Sequence, residues 1–146
     1  MKLYLALLLV CGLLFSCSHN HNPEAGHNEV HAAVPALSLN GEQRWQADDA
    51  TNANMQQLQQ LMHDHLRQPD ADNPESVSDL RQKAKLGFDK VFSDCRMKGP
   101  EHDMLHVYLM PMLDDIKVMD TNDLQTAIAA RDRLASRLDQ YQTYFK

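Results

Sequence analysis

The sequence predicts an all-α domain, an antiparallel up-down-up-down four-helix bundle, on three observations. Apolar residues recur three and four apart through four successive segments. Short stretches rich in proline, asparagine and glycine separate those segments. Glycine is scarce, with 5 in 146 residues, and aromatic residues make up only 6%, which suits helices better than sheets. The pattern occupies roughly the last hundred residues, enough for one domain with one modest core.

The first helix is expected from about Asp48 to Arg67, with Met55, Leu58, Met62, His65 and Leu66 on one face. Pro69 ends it. Asn73 reads as an N-cap and Pro74 as the first residue of a second helix, running to about Met97. Val77, Leu80, Ala84, Phe88, Val91, Phe92 and Cys95 form its stripe. Lys98-Gly99-Pro100 makes a turn into the third helix, which extends to about Met119. Its stripe is His102, Leu105, His106, Leu109, Met112, Leu113 and Ile116, and Pro111 inside it should bend it near Val107. Thr121 is expected to cap the fourth helix, whose stripe is Leu124, Ile128, Leu134, Ala135, Leu138, Tyr141 and Phe145.

Ahead of the helical domain, expected over residues 41–146, lie two segments of different character. Lys2 is followed by an almost unbroken apolar run from Leu3 to Leu14, short for a membrane span. It ends in Leu14-Phe15-Ser16-Cys17. This resembles the bacterial lipobox, which implies a signal peptide over 1–16 and lipidation at Cys17. Several acyl chains make such attachment lasting, because each buried methylene adds about 0.8 kcal/mol. By the sorting rule of enteric lipoproteins, Ser18 after the cysteine implies the outer membrane, facing the periplasm. Residues 17–40 read as a tether with Pro23, Pro35, Gly26 and no sustained period. Its His19, His21, His27 and His31 could collect metal ions weakly, or be no more than a solvated spacer.

Charge narrows the partners. There are 14 basic and 20 acidic residues, a net of −6, and Lys2 is the only charge before Cys17. An acidic surface argues against nucleic acid and anionic headgroups. The expected partners are the membrane, through the anchor at Cys17, and an envelope protein or metal-transport component.

Cys11 falls in the signal peptide and Cys17 is consumed by lipid, so Cys95 stands alone. It opens the segment Cys95-Arg96-Met97-Lys98-Gly99-Pro100-Glu101-His102-Asp103-Met104-Leu105-His106. His102 and His106 are one helical turn apart, the spacing by which a helix offers two imidazoles to one ion. Both lie on an apolar stripe, where an unpaired polar ring is costly. In an up-down bundle Cys95, Met97, His102 and His106 meet at one end, with Met55, Trp45, Tyr141 and Tyr144 nearby, and His63 and His65 at the other. Sulfur plus imidazole suits copper or zinc, and thioethers from Met97, Met55 or Met104 favour Cu(I). The plainer alternative has the histidines bonding to backbone or carboxylates, the cysteine acting as a small hydrophobe and the methionines packing. A Cys–His nucleophile lacks an evident third group, and no enzymatic activity is expected.

Cys-x-Met-x-Gly-x-x-His-x-x-Leu-His, running on to Leu-x-Pro, resembles the signature of a family of small bacterial envelope proteins. Leu39-Asn40-Gly41 to Trp45 and the stretch Thr51 to Met55 extend the likeness over most of residues 38–146. The resemblance supports the bundle and the weight of the motif and brings no activity with it. The function expected is a lipid-anchored periplasmic metal-binding protein, copper before zinc, that buffers, senses or carries its ion. The alternative is a metal-free envelope module whose bundle face docks a protein.

Overall fold

Four long helices packed against one another, with a short fifth, make up the described part of the chain. The computed structural model describes residues 36–146, which fall within one unit, Ala33–Lys146. The signal peptide, Cys17 and the histidines at 19, 21, 27 and 31 lie outside the described residues. Helix α1 spans Asp49–Leu66, α2 Pro74–Asp94, α3 Pro100–Val118, α4 Leu124–Asp139 and α5 Tyr141–Tyr144. Among the described residues the only bridges of β type are isolated, Asn40 with Gln43 and Trp45 with Phe145. No described helix is long and apolar enough to cross a membrane.

Each helix starts where local chemistry lets it. Asp48 caps α1 by accepting the Thr51 amide at 2.7 Å. Pro74 and Pro100 take the first positions of α2 and α3, where a missing N–H costs nothing. The start of α4 departs from expectation. Asp123, not Thr121, is its cap, accepting from Gln125 at 3.1 Å, while the Thr121 hydroxyl accepts the Asp123 amide and shapes the preceding turn. Two ends also differ. Helix α2 stops at Asp94, three residues before Met97, because Cys95 turns to ψ 128 and the Arg96 amide leaves the helical ladder for a side chain. Helix α4 stops at Asp139, and the chain turns at Gln140 into α5. Pro111 sits on the exposed side of α3, inside the helix.

The core is aliphatic and methionine-rich. Met55, Met62, Leu80, Phe88, Leu105, Leu109, Met112, Leu134, Leu138 and Phe145 are buried almost completely. Gly87 lets α2 approach α1 closely, since a Cβ there would stand 2.5 Å from Leu58 Cδ2. Helix α1 packs on α2 and α4, α3 packs on α4 and α2. Most buried polar groups are matched; among the described residues the Thr51 hydroxyl and His65 Nε2 are buried without a partner. Asp115, on α3, accepts from Arg133 at 2.7 Å and from Arg137 at 2.6 Å, both on α4. Arg131, only 5% exposed, donates to the Ala71 carbonyl at 2.9 Å and to Asp72 at 2.7 Å, and so ties α4 to the loop between α1 and α2. That loop covers His65, itself 5% exposed, whose Nε2 has no partner.

The two ends of the described chain meet. The Trp45 amide donates to the Tyr144 carbonyl at 2.7 Å, and the Ala47 amide donates to that of Lys146 at 2.9 Å. Leu37 packs half-buried against the core, and the indole of Trp45 donates to the Ser38 carbonyl at 2.7 Å, so the chain is already held before Gly41.

Candidate metal site where helix α2 ends and helix α3 begins

The sequence between α2 and α3 folds back on itself in very few residues. The Cys95 amide still completes the α2 ladder on the Val91 carbonyl, 3.1 Å away. The backbone then extends, and Gly99 reverses it at φ 72, ψ −154, a region open in practice only to glycine. Pro100 starts α3 at once, and the Asp103 amide closes its first turn on the Gly99 carbonyl at 3.0 Å. His102 therefore arrives in the first turn of α3, facing the cysteine that ended α2.

The result is a sulfur–imidazole pair. Cys95 Sγ stands 3.7 Å from His102 Nδ1. The ring of His106 lies edge-on to that of His102, with centroids 4.5 Å apart and planes at 61°. On its other side His106 meets Phe92 of α2, centroids 5.6 Å apart. Cys95, His102 and His106 are all half-buried, neither sealed in the core nor free in solvent. Among the described residues Cys95 has no disulfide partner.

The chain matches no protein-family model, no curated protein and no solved structure.

What the pair can do follows from its dimensions. Metal bonds of about 2.3 Å to sulfur and about 2.0–2.1 Å to nitrogen, spanning the observed separation, meet at about 116°. That lies between tetrahedral and trigonal angles, so an ion held by both keeps one or two further positions. Among the described residues no group of three or more His, Cys, Asp and Glu side chains is assembled to hold an ion. The structure thus brings together two of the expected donors, Cys95 and His102, with His106 edge-on to the second. Met55 is enclosed in the core, and Met97 packs half-buried against it. Met104 is buried as well.

The surroundings contain groups the sequence did not flag. Asp48 does more than cap α1, because its other oxygen accepts the Arg96 amide at 2.6 Å. Burial works against the charge on Asp48, but the amides of Arg96 and Thr51 outweigh it and hold the carboxyl below its usual range. Asn54, 4% exposed, donates to Asp94 at 3.1 Å and to the Lys90 carbonyl at 3.4 Å, a second strut between α1 and the last turn of α2. Asp94 also accepts from Lys90, and these donors lower its pKa to about 2. Tyr141 donates to Asn52 at 2.9 Å; burial, followed by the charges of Asp48 and Cys95, pushes its hydroxyl up. The Tyr141 ring stacks on Phe145, and Tyr108 meets both and Tyr144, forming an aromatic wall beside α5. The sequence places Asp48 only at the start of the first helix, and nothing in the spacing reveals its bond to Arg96.

The other histidines lie elsewhere. His63 is exposed and bonds Asp139 at 2.9 Å. His65 sits beside Ala71 and Arg131, not beside Cys95. Burial first, and Arg131 second, hold its imidazole below the usual value, against the opposing pull of the Ala71 carbonyl, Asp70 and Asp72.

Proposed function

We propose that the protein binds a soft or borderline metal ion, copper before zinc, through Cys95 Sγ and His102 Nδ1, with His106 as the third donor. The observation that carries this reading is the 3.7 Å separation of sulfur and nitrogen, at which one ion could bridge the two. A thiolate with one or two imidazoles and an open position suits holding and handing on an ion. In this reading Cys17 carries the lipid anchor, residues 17–40 are the tether, and the site faces the periplasm from the outer membrane. The helices then form an antiparallel up-down-up-down bundle. In support, Asp48 at the start of α1 reaches Arg96 just past α2, Cys95 at the end of α2 reaches His102 in the first turn of α3, and Tyr141 just past α4 reaches Asn52 in the first turn of α1.

Competition of the full chain, in detergent, against a chromogenic Cu(I) chelator tests the proposal. Cys95→Ser and His102→Ala should weaken binding by more than the roughly 10- to 100-fold that a supporting residue contributes. His63→Ala should leave it unchanged. Binding should also weaken with falling pH, as protons compete for thiolate and imidazole. Equal binding by Cys95→Ser, His102→Ala and the parent refutes the site. The docking of an envelope protein then becomes the first reading, favoured by the 69% exposed Leu86 on α2 and the cleft at Leu113 and Ile116 between α2 and α3.

A further inference from the structure

We propose that Asp48 is the positioning residue of the Cys95–His102 pair: its carboxylate clamps the backbone immediately after Cys95 and so presets the distance between sulfur and imidazole. The inference rests on the metal reading above and deepens it. The start of α1 is a fixed platform. Ala47, just before Asp48, is 3% exposed and bonded through its amide to Lys146. Just after it, Asn52 accepts from the Tyr141 hydroxyl. Asp48 itself is locked by Thr51 at 2.7 Å through Oδ1. Its Oδ2 is left to take the Arg96 amide at 2.6 Å, 48 residues away in sequence.

That amide is the first to leave the α2 ladder, and without Asp48 it has only solvent to bond. With it, the backbone next to Cys95 is pinned near one end of the five-residue connection between α2 and α3, and the obligatory reversal at Gly99 pins the other. The thiol and the first turn of α3 have little freedom to separate. Groups that orient ligands in this way typically contribute about 10- to 100-fold to metal affinity, because the ion no longer has to order its own donors.

Two substitutions remove the clamp from opposite sides. Asp48→Asn keeps a capping oxygen for Thr51, since asparagine caps helices as well as aspartate, but has no second acceptor for Arg96. Arg96→Pro removes the donor itself, and Cys95 at φ −58, ψ 128 already has the conformation a residue before proline requires. Arg96→Ala keeps the amide and is the control. Each variant of the full chain is titrated with Cu(I) against a competing chelator and with Co(II), whose ligand-field and thiolate charge-transfer bands report coordination geometry.

Asp48→Asn and Arg96→Pro should each weaken Cu(I) binding about 10- to 100-fold. Their combination should be no worse than either alone, and the Co(II) spectrum should lose intensity. The metal-free unfolding midpoint of Asp48→Asn should stay near the parent's, and Arg96→Ala should bind as the parent does. If the parent and Arg96→Ala bind, Cys95→Ser does not, and both clamp variants bind like the parent with unchanged Co(II) spectra, the positioning role is overturned and the metal reading stands. A parent chain that binds neither Cu(I) nor Co(II) overturns both.

Discussion

Replacing Gly99 with alanine should cost stability because of handedness, not size. The residue sits at φ 72, ψ −154, and a Cβ added there meets only Glu101 Oε2, 4.0 Å away, so space is not the obstacle. An L-residue held in that region carries about 1–3 kcal/mol of backbone strain. The inverted angles, φ −72 and ψ 154, are ordinary extended backbone, which is what an alanine of the opposite hand experiences at this position. Gly99→Ala should therefore destabilise by about 1–3 kcal/mol. The mirror-image alanine should match glycine or exceed it by about 0.4–1 kcal/mol, since it narrows the unfolded ensemble. Cys95 makes the comparison practical. The full chain can be assembled by ligating a thioester of residues 1–94 to a synthetic peptide of residues 95–146, whose first residue is that cysteine. Urea unfolding followed by circular dichroism reads the difference. With a slope of about 1–3 kcal/mol per M, the two epimers should separate by roughly 1 M in midpoint. Identical midpoints for the two hands would refute the assignment of Gly99 to a glycine-only conformation.

Further expectations concern buried charge. His65 has its folded pKa depressed by burial and by Arg131, so between that value and about 6.5 the unfolded chain binds the extra proton. Its contribution to stability should be complete above about pH 6.5 and fall as pH drops below it. Urea midpoints at successive pH values should show this slope in the parent and lose it in His65→Leu; an unchanged slope rejects the account. Asp115→Asn removes one of the two charged acceptors serving Arg133 and Arg137 and should cost about 1–3 kcal/mol, with both arginines partly open to solvent to soften the loss. Thermal unfolding that matches the parent would show those bonds to be dispensable.

Most of the helical content was legible because burial follows spacing. Met55, Leu58, Met62 and His65 are buried as the first stripe requires, though Leu66 at its end is exposed; Val77, Leu80, Ala84, Phe88 and Val91 are buried as the second requires, with Phe92 and Cys95 half-buried. Prolines at 74 and 100 mark helix starts in sequence and structure alike, because a residue without an N–H is tolerated there. The misjudged boundaries share one cause. Where α2 ends, and whether Thr121 or Asp123 caps α4, depends on which side chain captures a free amide, and for α2 that side chain is 48 residues distant. The fourth stripe is shifted from the one the spacing predicts for a similar reason: Leu124 and Ile128 are only half-buried, while Ala127, Ala130 and the aliphatic part of Arg131 take the inward positions. In the candidate site, Cys95 and His102 could be paired from a short turn alone. Asp48, Asn54 and the Phe92–His106 contact could not, since each needs the packing of whole helices to come into reach.

The closure of Trp45 and Ala47 onto Tyr144 and Lys146 imposes an order of events on biosynthesis. These bonds join residues separated by about one hundred positions, and Phe145, at the far end, is wholly enclosed. A ribosome adding about 5–20 residues per second makes the receiving edge roughly 5–20 s before its complement. During that interval the segment before α1 has no partner, and the slot that Phe145 fills stands open. Removing Phe145 and Lys146 would return the protein partway to that nascent state: every long helix is present, the slot is empty, and of the three backbone bonds of the seam only that from the Trp45 amide to the Tyr144 carbonyl is left.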